Sequence, residues 1–311
     1  SLLKQTEGFN IRTTDFPSGS YINIHISSMN ILHISDYKKY TNFNYNMGLM
    51  PITNIDYCYS TIYNLLIESV KKRVINSERN LACLLSGGLD SSLISAIVAK
   101  WVPKGHLQTF SIGMMGGSDL KYAKMVSDHI NSNHTEIILS EQDFFDSIPE
   151  VIYNIESYDT TTVRASVGNY LVAKYISEHS DAKVIFNGDG SDELTGGYMY
   201  FHNCPNNMEF DYECKRLLND IQYFDVLRSD RTISCHGLEA RTPFLDRTFV
   251  NNYLSLPIDF RNHNNNKNSN NKIEKWLLRQ SIQENDPELL PNNVLWRSKE
   301  AFSDGVSSTN K

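Results

Sequence analysis

The chain has 311 residues, is 40% hydrophobic and 21% charged, and carries a net charge of −7, the profile of a globular protein with one large core or two smaller ones. That acidic balance argues against general affinity for nucleic acid or an anionic membrane, and no apolar run approaches the roughly 18–20 residues that cross a bilayer. Its five cysteines, Cys58, Cys83, Cys204, Cys214 and Cys235, are odd in number and lack paired spacing, which argues against a disulfide framework or a His/Cys metal site and for a reducing, cytoplasmic setting.

Residues 1–50 are rich in Asn, Ser, Tyr and Ile; "FPSGS" at 16–20 signals a turn and "SYINIHI" at 20–26 alternates as a strand does. From about Tyr57 the period changes. Ile62, Leu65, Leu66, Ser69, Val70 and Val74 recur at helical spacing, with Lys71, Lys72 and Arg73 near the end, where cations suit the helix dipole. A regular alternation follows. "LACLL" (81–85) reads as a buried strand, 91–101 as a helix with Leu93, Ile94, Ile97 and Val98 inward, and 107–112 as a second strand. Asp119 is expected to cap a helix through Ile130, before a third strand at 134–139, helices near 142–156 and 163–179, and a fourth strand at 183–187. This order predicts an α/β fold: a parallel sheet flanked by helices, with ligands at the carboxyl ends of the strands. From about Asp211 the chain reads as mainly helical, and the asparagine tract "RNHNNNKNSNNK" (261–272) as a disordered or exposed loop.

Two loops carry the chemistry. Ser86-Gly87-Gly88-Leu89-Asp90-Ser91-Ser92 follows the first buried strand and opens a helix. Paired glycines let backbone N–H groups converge, the serines add hydroxyl donors, and a helix start adds positive dipole, which together suit a phosphate. Asp90 stands where magnesium would neutralise phosphate charge. The loop lacks the lysine of the commonest phosphate loop. The second loop, "FNGDGSDELTGGY" (186–198), crowds four glycines and four acidic residues together. Like charges so close call for a cation or a shifted pKa, so Asp189, Asp192 and Glu193 are candidates for metal binding and proton handling.

The segment "LSGGLDSS" resembles the loop of the PP-loop ATP pyrophosphatases, and four more segments resemble the asparagine synthetase family among them. They are "YDTTTVRAS" (158–166), "NGDGSDELTGGYMYFH" (187–202), "HGLEARTPFLD" (236–246) and "LWRSKEAFSDGV" (295–306). Five motifs in matching order span most of residues 57–306, and "LQTFSIGM" and "VRASVGNYL" are most similar to the eukaryotic-like, glutamine-hydrolysing form. The resemblance implies an adenine nucleotide alpha hydrolase-like parallel sheet, a mainly helical C-terminal part and a short N-terminal β remnant. It also implies ATP-dependent conversion of aspartate to asparagine. The aspartate side-chain carboxylate attacks the α-phosphate of magnesium-bound ATP, giving β-aspartyl-AMP and pyrophosphate; ammonia, released from glutamine in a separate N-terminal domain, then displaces AMP.

By the same resemblance, Ser86, Gly87, Gly88, Asp90, Ser91 and Ser92 hold pyrophosphate, while Leu84, Ile112, Asn187 and Gly188 contact the adenine side. Thr161, Thr162, Arg164 and Asp192 bind aspartate or its adenylate. Asp90 and Asp192 take the metal, Asp189, Lys299 and Arg164 are catalytic, and Glu239 and Arg241 form a supporting ion pair. The implied cofactors are ATP and Mg2+ and the partners aspartate and ammonia or glutamine, without nucleic acid or membrane; a homodimer is left open beside a monomer. The alternatives are a related PP-loop amidotransferase or β-lactam-forming synthetase, which "TTTVRAS" and "HGLEARTPFLD" disfavour, and a non-catalytic regulatory homologue.

The chain departs from the family in places. Position 189 usually carries Glu, and the Asp here draws the carboxylate back by about 1.5 Å; altered but retained activity is the expectation. Asn187 replaces a usual Ser. Residues 1–50 resemble only the tail of the glutaminase domain, through "FPSGSYINI", and residues 51–311 the synthetase domain, shortened at its C-terminal end. No cysteine precedes Cys58 to serve as a glutaminase nucleophile, so a fragment of a longer protein is expected.

Overall fold

The computed structural model describes residues 16–28, 32–40, 54–265 and 273–299. Two compact units divide the chain, Ser1–Asn44 and Tyr45–Lys311. In the first, β1 (Ser20–Tyr21) and β2 (Ile24–Ile26) pair antiparallel with β4 (Lys38–Lys39) and β3 (Leu32–Ile34) respectively. The single strand expected over 20–26 is thus two short strands in different ladders.

The second unit opens with α1 (Ile55–Ile75), capped by Asn54, whose side chain accepts from the Asp56 N–H at 2.8 Å. Its predicted face is buried at Ile62, Leu66, Ser69, Val70 and Val74. Five strands then build one parallel sheet: β5 (Leu81–Leu84), β6 (Gln108–Gly113), β7 (Asn133–Ile138), β8 (Val184–Phe186) and β9 (Glu239–Arg241). Their order is β7-β6-β5-β8-β9. The chain moves outward from β5 to β7, then returns to lay β8 and β9 on the other side. The order therefore reverses between β5 and β8, where open parallel sheets form a ligand crevice. Both glycine-rich loops leave the carboxyl ends of these two strands. As central strands covered on both faces, they read as continuous apolar runs: Ala82, Cys83, Val184, Ile185 and Phe186 are all buried.

Helices α2 (Leu89–Ala99), α3 (Ser118–His129), α4 (Glu141–Ile155) and α5 (Thr160–His179) connect the strands. On one face α5 lays Val172, Ala173 and Ile176 against Phe110, Ile112 and Ile185, with Ile233 completing the cluster. Fully buried residues such as Ile176 and Ile185 each contribute about 1.5–3 kcal/mol through burial. Asp119 does not cap α3; Gly117 stands at the cap and Asp119 in the first turn, where its carboxylate accepts from Arg297 at 2.9 Å.

Beyond β8 come α6 (Ser191–Thr195), α7 (Asn207–Asp220), α8 (Asp225–Ser234), α9 (Arg247–Ser255), α10 (Ile258–Arg261), α11 (Trp276–Asn285) and α12 (Asn292–Leu295). The region is helical as expected, except that β9 adds a fifth strand too short and polar to show an apolar pattern. Arg241 in β9 pairs with Glu239 at 2.8 Å, and its carbonyl accepts the Asn187 N–H at 3.1 Å, tying the strand to the second loop.

The asparagine tract is not exposed throughout. Arg261, Asn262 and His263 are buried, because Arg261 pairs with Asp211 and donates to the Leu256 carbonyl, and Asn262 donates to Asn207 at 2.9 Å. Residues 266–272 lie outside the described part. All five cysteines are free thiols. Among the described residues no helix is long and apolar enough to cross a membrane.

Candidate active site

The first loop is organised by its own hydroxyls. Ser86 Oγ and Ser91 Oγ lie 2.9 Å apart, the Ser86 N–H donates to Ser91 Oγ at 3.2 Å, and the Gly88 N–H donates to Ser86 Oγ at 3.4 Å. The result is a tight turn that points the start of α2 at the crevice. Gly87 has φ +76°, and a Cβ there would lie 2.6 Å from the Ala123 nitrogen in α3, so both conformation and space demand glycine. The Gly87 carbonyl accepts from Arg297 at 3.0 Å. Arg297 also stacks on the Tyr122 ring at 4.0 Å, clamping the loop to α3.

The second loop touches the first. A Cβ on Gly188 would sit 2.7 Å from Asp90 Cβ and 2.8 Å from the Ser91 nitrogen, so only glycine lets the loops approach this closely. Ser191 Oγ donates to Asp90 Oδ1 at 2.7 Å, a further bond between them. Asp189 is held by its neighbour: the Asn187 amide donates to Asp189 Oδ2 at 2.7 Å and to Ser229 Oγ at 2.6 Å. Burial pushes the Asp189 carboxyl up to about 6; the Ser229 hydroxyl and Arg228 resist that rise, while the Glu193 and Asp192 charges add to it. Glu193, almost fully buried, is also raised by burial, against a hydrogen bond from Tyr198.

The cations come from the far end of the chain. Lys275, 3% exposed, places its ammonium 2.5 Å from Asp90 Oδ2 and 2.6 Å from Asp192 Oδ1. Lys299 pairs with the other oxygen of Asp192 and stands 4.9 Å over the Tyr198 ring. Burial opposes ionisation of Asp192, but these two ammonium groups overcome it and hold its carboxyl well below the ordinary range. Burial likewise opposes the charge on Lys275, and Asp192 and Asp90 more than offset it, raising its pKa. The Tyr198 hydroxyl lies 2.6 Å from Glu193 and 3.0 Å from Asp225; Asp225 in turn pairs with Arg228.

These residues line one cavity of about 440 Å³, within the usual span of about 300–1,000 Å³ for small-ligand sites. Of the residues singled out from sequence, Leu84, Ser86, Gly88, Asp90, Ser91, Ile112, Thr161, Arg164, Asn187, Gly188, Asp189, Asp192 and Lys299 face it together. Gly87, Ser92 and Thr162 are not in the lining. Gly87 packs on α3, and Ser92 is wholly buried. Thr162 turns its hydroxyl to Asp159, the cap of α5, at 2.8 Å. The lining includes six carboxylates and six cationic side chains. Beside these charges the lining carries Leu84, Phe110, Ile112 and Val172, which pack in one apolar cluster. A flat apolar group and a polyanion can be held at once, with a part-buried carboxylate of raised pKa beside them.

Sequence reasoning missed Lys275, Arg297, Tyr198, Asp225 and Arg228 as functional. Tyr198 and Arg297 lie inside quoted motifs, where neighbouring residues drew the attention. Asp225 and Arg228 are three apart on a helix, the spacing of an ordinary surface pair. Lys275 follows the asparagine tract, and no local pattern marks it.

The asparagine synthase family model matches residues 61–212 and 204–311 of this chain. Asparagine synthetase [glutamine-hydrolyzing] of Gallus gallus is 50% identical over 256 residues, covering 81% of this chain and 44% of that protein. The Homo sapiens protein of the same name is 47% identical over 264 residues, covering 84% and 46%. The chain thus spans less than half the length of these relatives. An NH3-dependent NAD synthetase of Campylobacter jejuni overlays 55% of this chain and 77% of its own at 16% identity and a TM-score of 0.33.

Proposed function

The chain belongs to the asparagine synthase family, and from that premise we propose that its cavity converts aspartate to asparagine at the expense of ATP. The observation that carries the proposal is the meeting of the two glycine-rich loops at Gly188, which sets hydroxyl donors, a helix start and the Asp189 carboxylate around one crevice. The adenine lies against Leu84, Phe110 and Ile112. The β- and γ-phosphates meet Ser86, Gly88 and Ser91 at the start of α2, where N–H groups and the helix dipole favour an anion.

The reaction proceeds in two displacements. An oxygen of the aspartate side-chain carboxylate bonds to the α-phosphorus, and the bond from that phosphorus to the bridging oxygen breaks, releasing pyrophosphate. Lys299 is placed to offset the charge that grows on the transferring phosphate. Ammonia then adds to the acyl carbon, AMP leaves, and Asp189 takes the surplus ammonium proton; a carboxyl pKa near 6 makes it a better acceptor than an ordinary carboxylate. Arg164 and the Asp225–Arg228 pair, which line the same cavity, offer partners for the α-carboxylate and α-amino group of aspartate. Thr161, in the first turn of α5, faces the same space.

Magnesium bound with ATP supplies charge neutralisation at the phosphates. The donor chemistry suits it, since Mg2+ is commonly held by one or two carboxylates together with phosphates, and Asp90 and Asp192 both line the cavity. The position between those carboxylates holds the Lys275 ammonium, so they would hold the ion only where Lys275 gives way. Residues 1–50 we assign to the tail of a glutaminase domain, supported by "FPSGSYINI" and by the separate compactness of Ser1–Asn44; residues 51–311 carry the synthetase chemistry.

The test is pyrophosphate release from Mg·ATP with ammonia as nitrogen donor, with and without aspartate. Aspartate-dependent release is expected. Release that ignores aspartate removes this reading and favours another PP-loop synthetase, while no release favours a non-catalytic homologue.

A further inference from the structure

The least expected feature of the cavity is Lys275. Its side chain is 2% exposed and lies between two carboxylates, 2.5 Å from Asp90 and 2.6 Å from Asp192, with Ser191 Oγ at 3.4 Å. The backbone there is left-handed, with φ +58° at the cap of α11, a conformation that residues carrying a Cβ rarely adopt. The fold accepts that conformation at the one point where the ammonium reaches both loops. Asp90 lies in the first turn of α2 and Asp192 in the first turn of α6, so the lysine joins the two loops through a single charge.

We propose that Lys275 is a resident counter-ion that keeps divalent cations off the Asp90–Asp192 pair until phosphates arrive. Two part-buried carboxylates held on one ammonium would repel each other without it, so the empty enzyme favours a positive charge there. A free divalent ion gains little by displacing an ammonium already bonded to both carboxylates. The balance changes when pyrophosphate or a triphosphate enters, because its oxygens complete the octahedral shell that magnesium prefers. Its negative charge also gives the displaced ammonium a new partner. Metal and nucleotide therefore enter together, and when pyrophosphate leaves with its metal, Lys275 closes the gap again. Lys299 does not substitute for it, since it engages only the outer oxygen of Asp192.

This inference takes from the proposed function only that the two carboxylates face the phosphates, and its test needs neither aspartate nor turnover. Mn2+ is titrated into the protein without nucleotide, and free ion is followed by its electron spin resonance signal. Wild type is expected to bind Mn2+ weakly, and Lys275→Met to bind it at least tenfold more tightly. Lys275→Arg, which keeps the charge, stays near wild type. The gain disappears when Asp90→Asn is added to Lys275→Met, which locates the ion. If Lys275→Met fails to fold, as a thermal melt reveals, Lys275→Gln is read in its place, because it removes the charge while keeping a polar group in the site. Neutral variants that bind Mn2+ no more tightly than wild type overturn the proposal, as does a gain that survives Asp90→Asn.

Discussion

The loops after β5 and β8 begin alike and end as opposites. Each leaves a buried parallel strand, turns through glycine and enters a helix. In residues 86–92 the turn itself is held locally, Ser86 and Ser91 bonding each other and nearby backbone, while outside contacts reach only the Gly87 carbonyl, from Arg297, and the Asp90 carboxylate, from Lys275 and Ser191. Residues 187–198 are not held this way. Their carboxylates need Lys275, Lys299 and Tyr198, and two of these come from roughly a hundred residues further along the chain. A loop of glycines and hydroxyls is made from local backbone geometry, whereas an acidic loop depends on cations that the rest of the fold delivers.

That contrast predicts unequal responses to substitution. The largest is expected at Asp192. Asp192→Asn leaves Lys299 without its carboxylate and Lys275 with Asp90 alone, and loss of one partner from this part-buried cluster costs about 3 kcal/mol, the low end for a buried pair, measured by denaturant unfolding at neutral pH. The loss should shrink in acid. The depressed Asp192 pKa contributes stability above the ordinary carboxylate range, and that contribution fades as pH falls toward its folded value. Equal stability of wild type and variant at neutral pH would show that the second loop needs no cations.

Next comes Asp189. Its carboxyl is neutral below about 6 and ionised above, so a proton acceptor there makes the rate of asparagine formation rise with pH through about 6 at fixed free ammonia. Asp189→Asn should lose that limb and about a hundredfold or more in rate. Asp189→Glu should shift both rate and limb; an unchanged profile would mean the shorter side chain is immaterial. For stability the sign is reversed: the raised pKa means that this group's contribution declines as pH rises from 3.8 toward 6.

Gly188→Ala probes the contact between the loops. Its Cβ must displace backbone at Asp90 and Ser91, and a misplacement of about 1 Å predicts on the order of a hundredfold loss of pyrophosphate release. Arg297→Ala is the mildest. Without the Gly87 carbonyl bond and the Tyr122 stacking, ATP KM should rise about tenfold, the equivalent of about 1.4 kcal/mol, with kcat little changed. A fall in kcat at constant KM would place Arg297 in the chemistry instead.

Much of this was legible in the sequence because it is local. The strands at 81–85 and 183–187, α1, α2 and α5 follow from apolar period, and both loops from glycine, hydroxyl and acid content. What escaped was set by distance. The three residues of β9, Glu239, Ala240 and Arg241, carry no strand pattern, yet pairing with β8 makes them part of the sheet. Asp119 read as a helix cap because nothing nearby announced Arg297. The first residues of the asparagine tract read as solvent-exposed, whereas Asp211 and Asn207 draw Arg261 and Asn262 inward. Lys275 escaped for the same reason: a lone lysine is ordinarily solvated, and only the fold brings it between two aspartates.

The central claim, that aspartate attacks the α-phosphate in this cavity, is tested most directly with aspartate carrying 18O in its side-chain carboxylate. Incubated with the protein, Mg·ATP and ammonia, it should pass one 18O atom into the phosphate of each AMP formed, with one asparagine and one pyrophosphate. AMP free of label, or label found in pyrophosphate, would contradict the account.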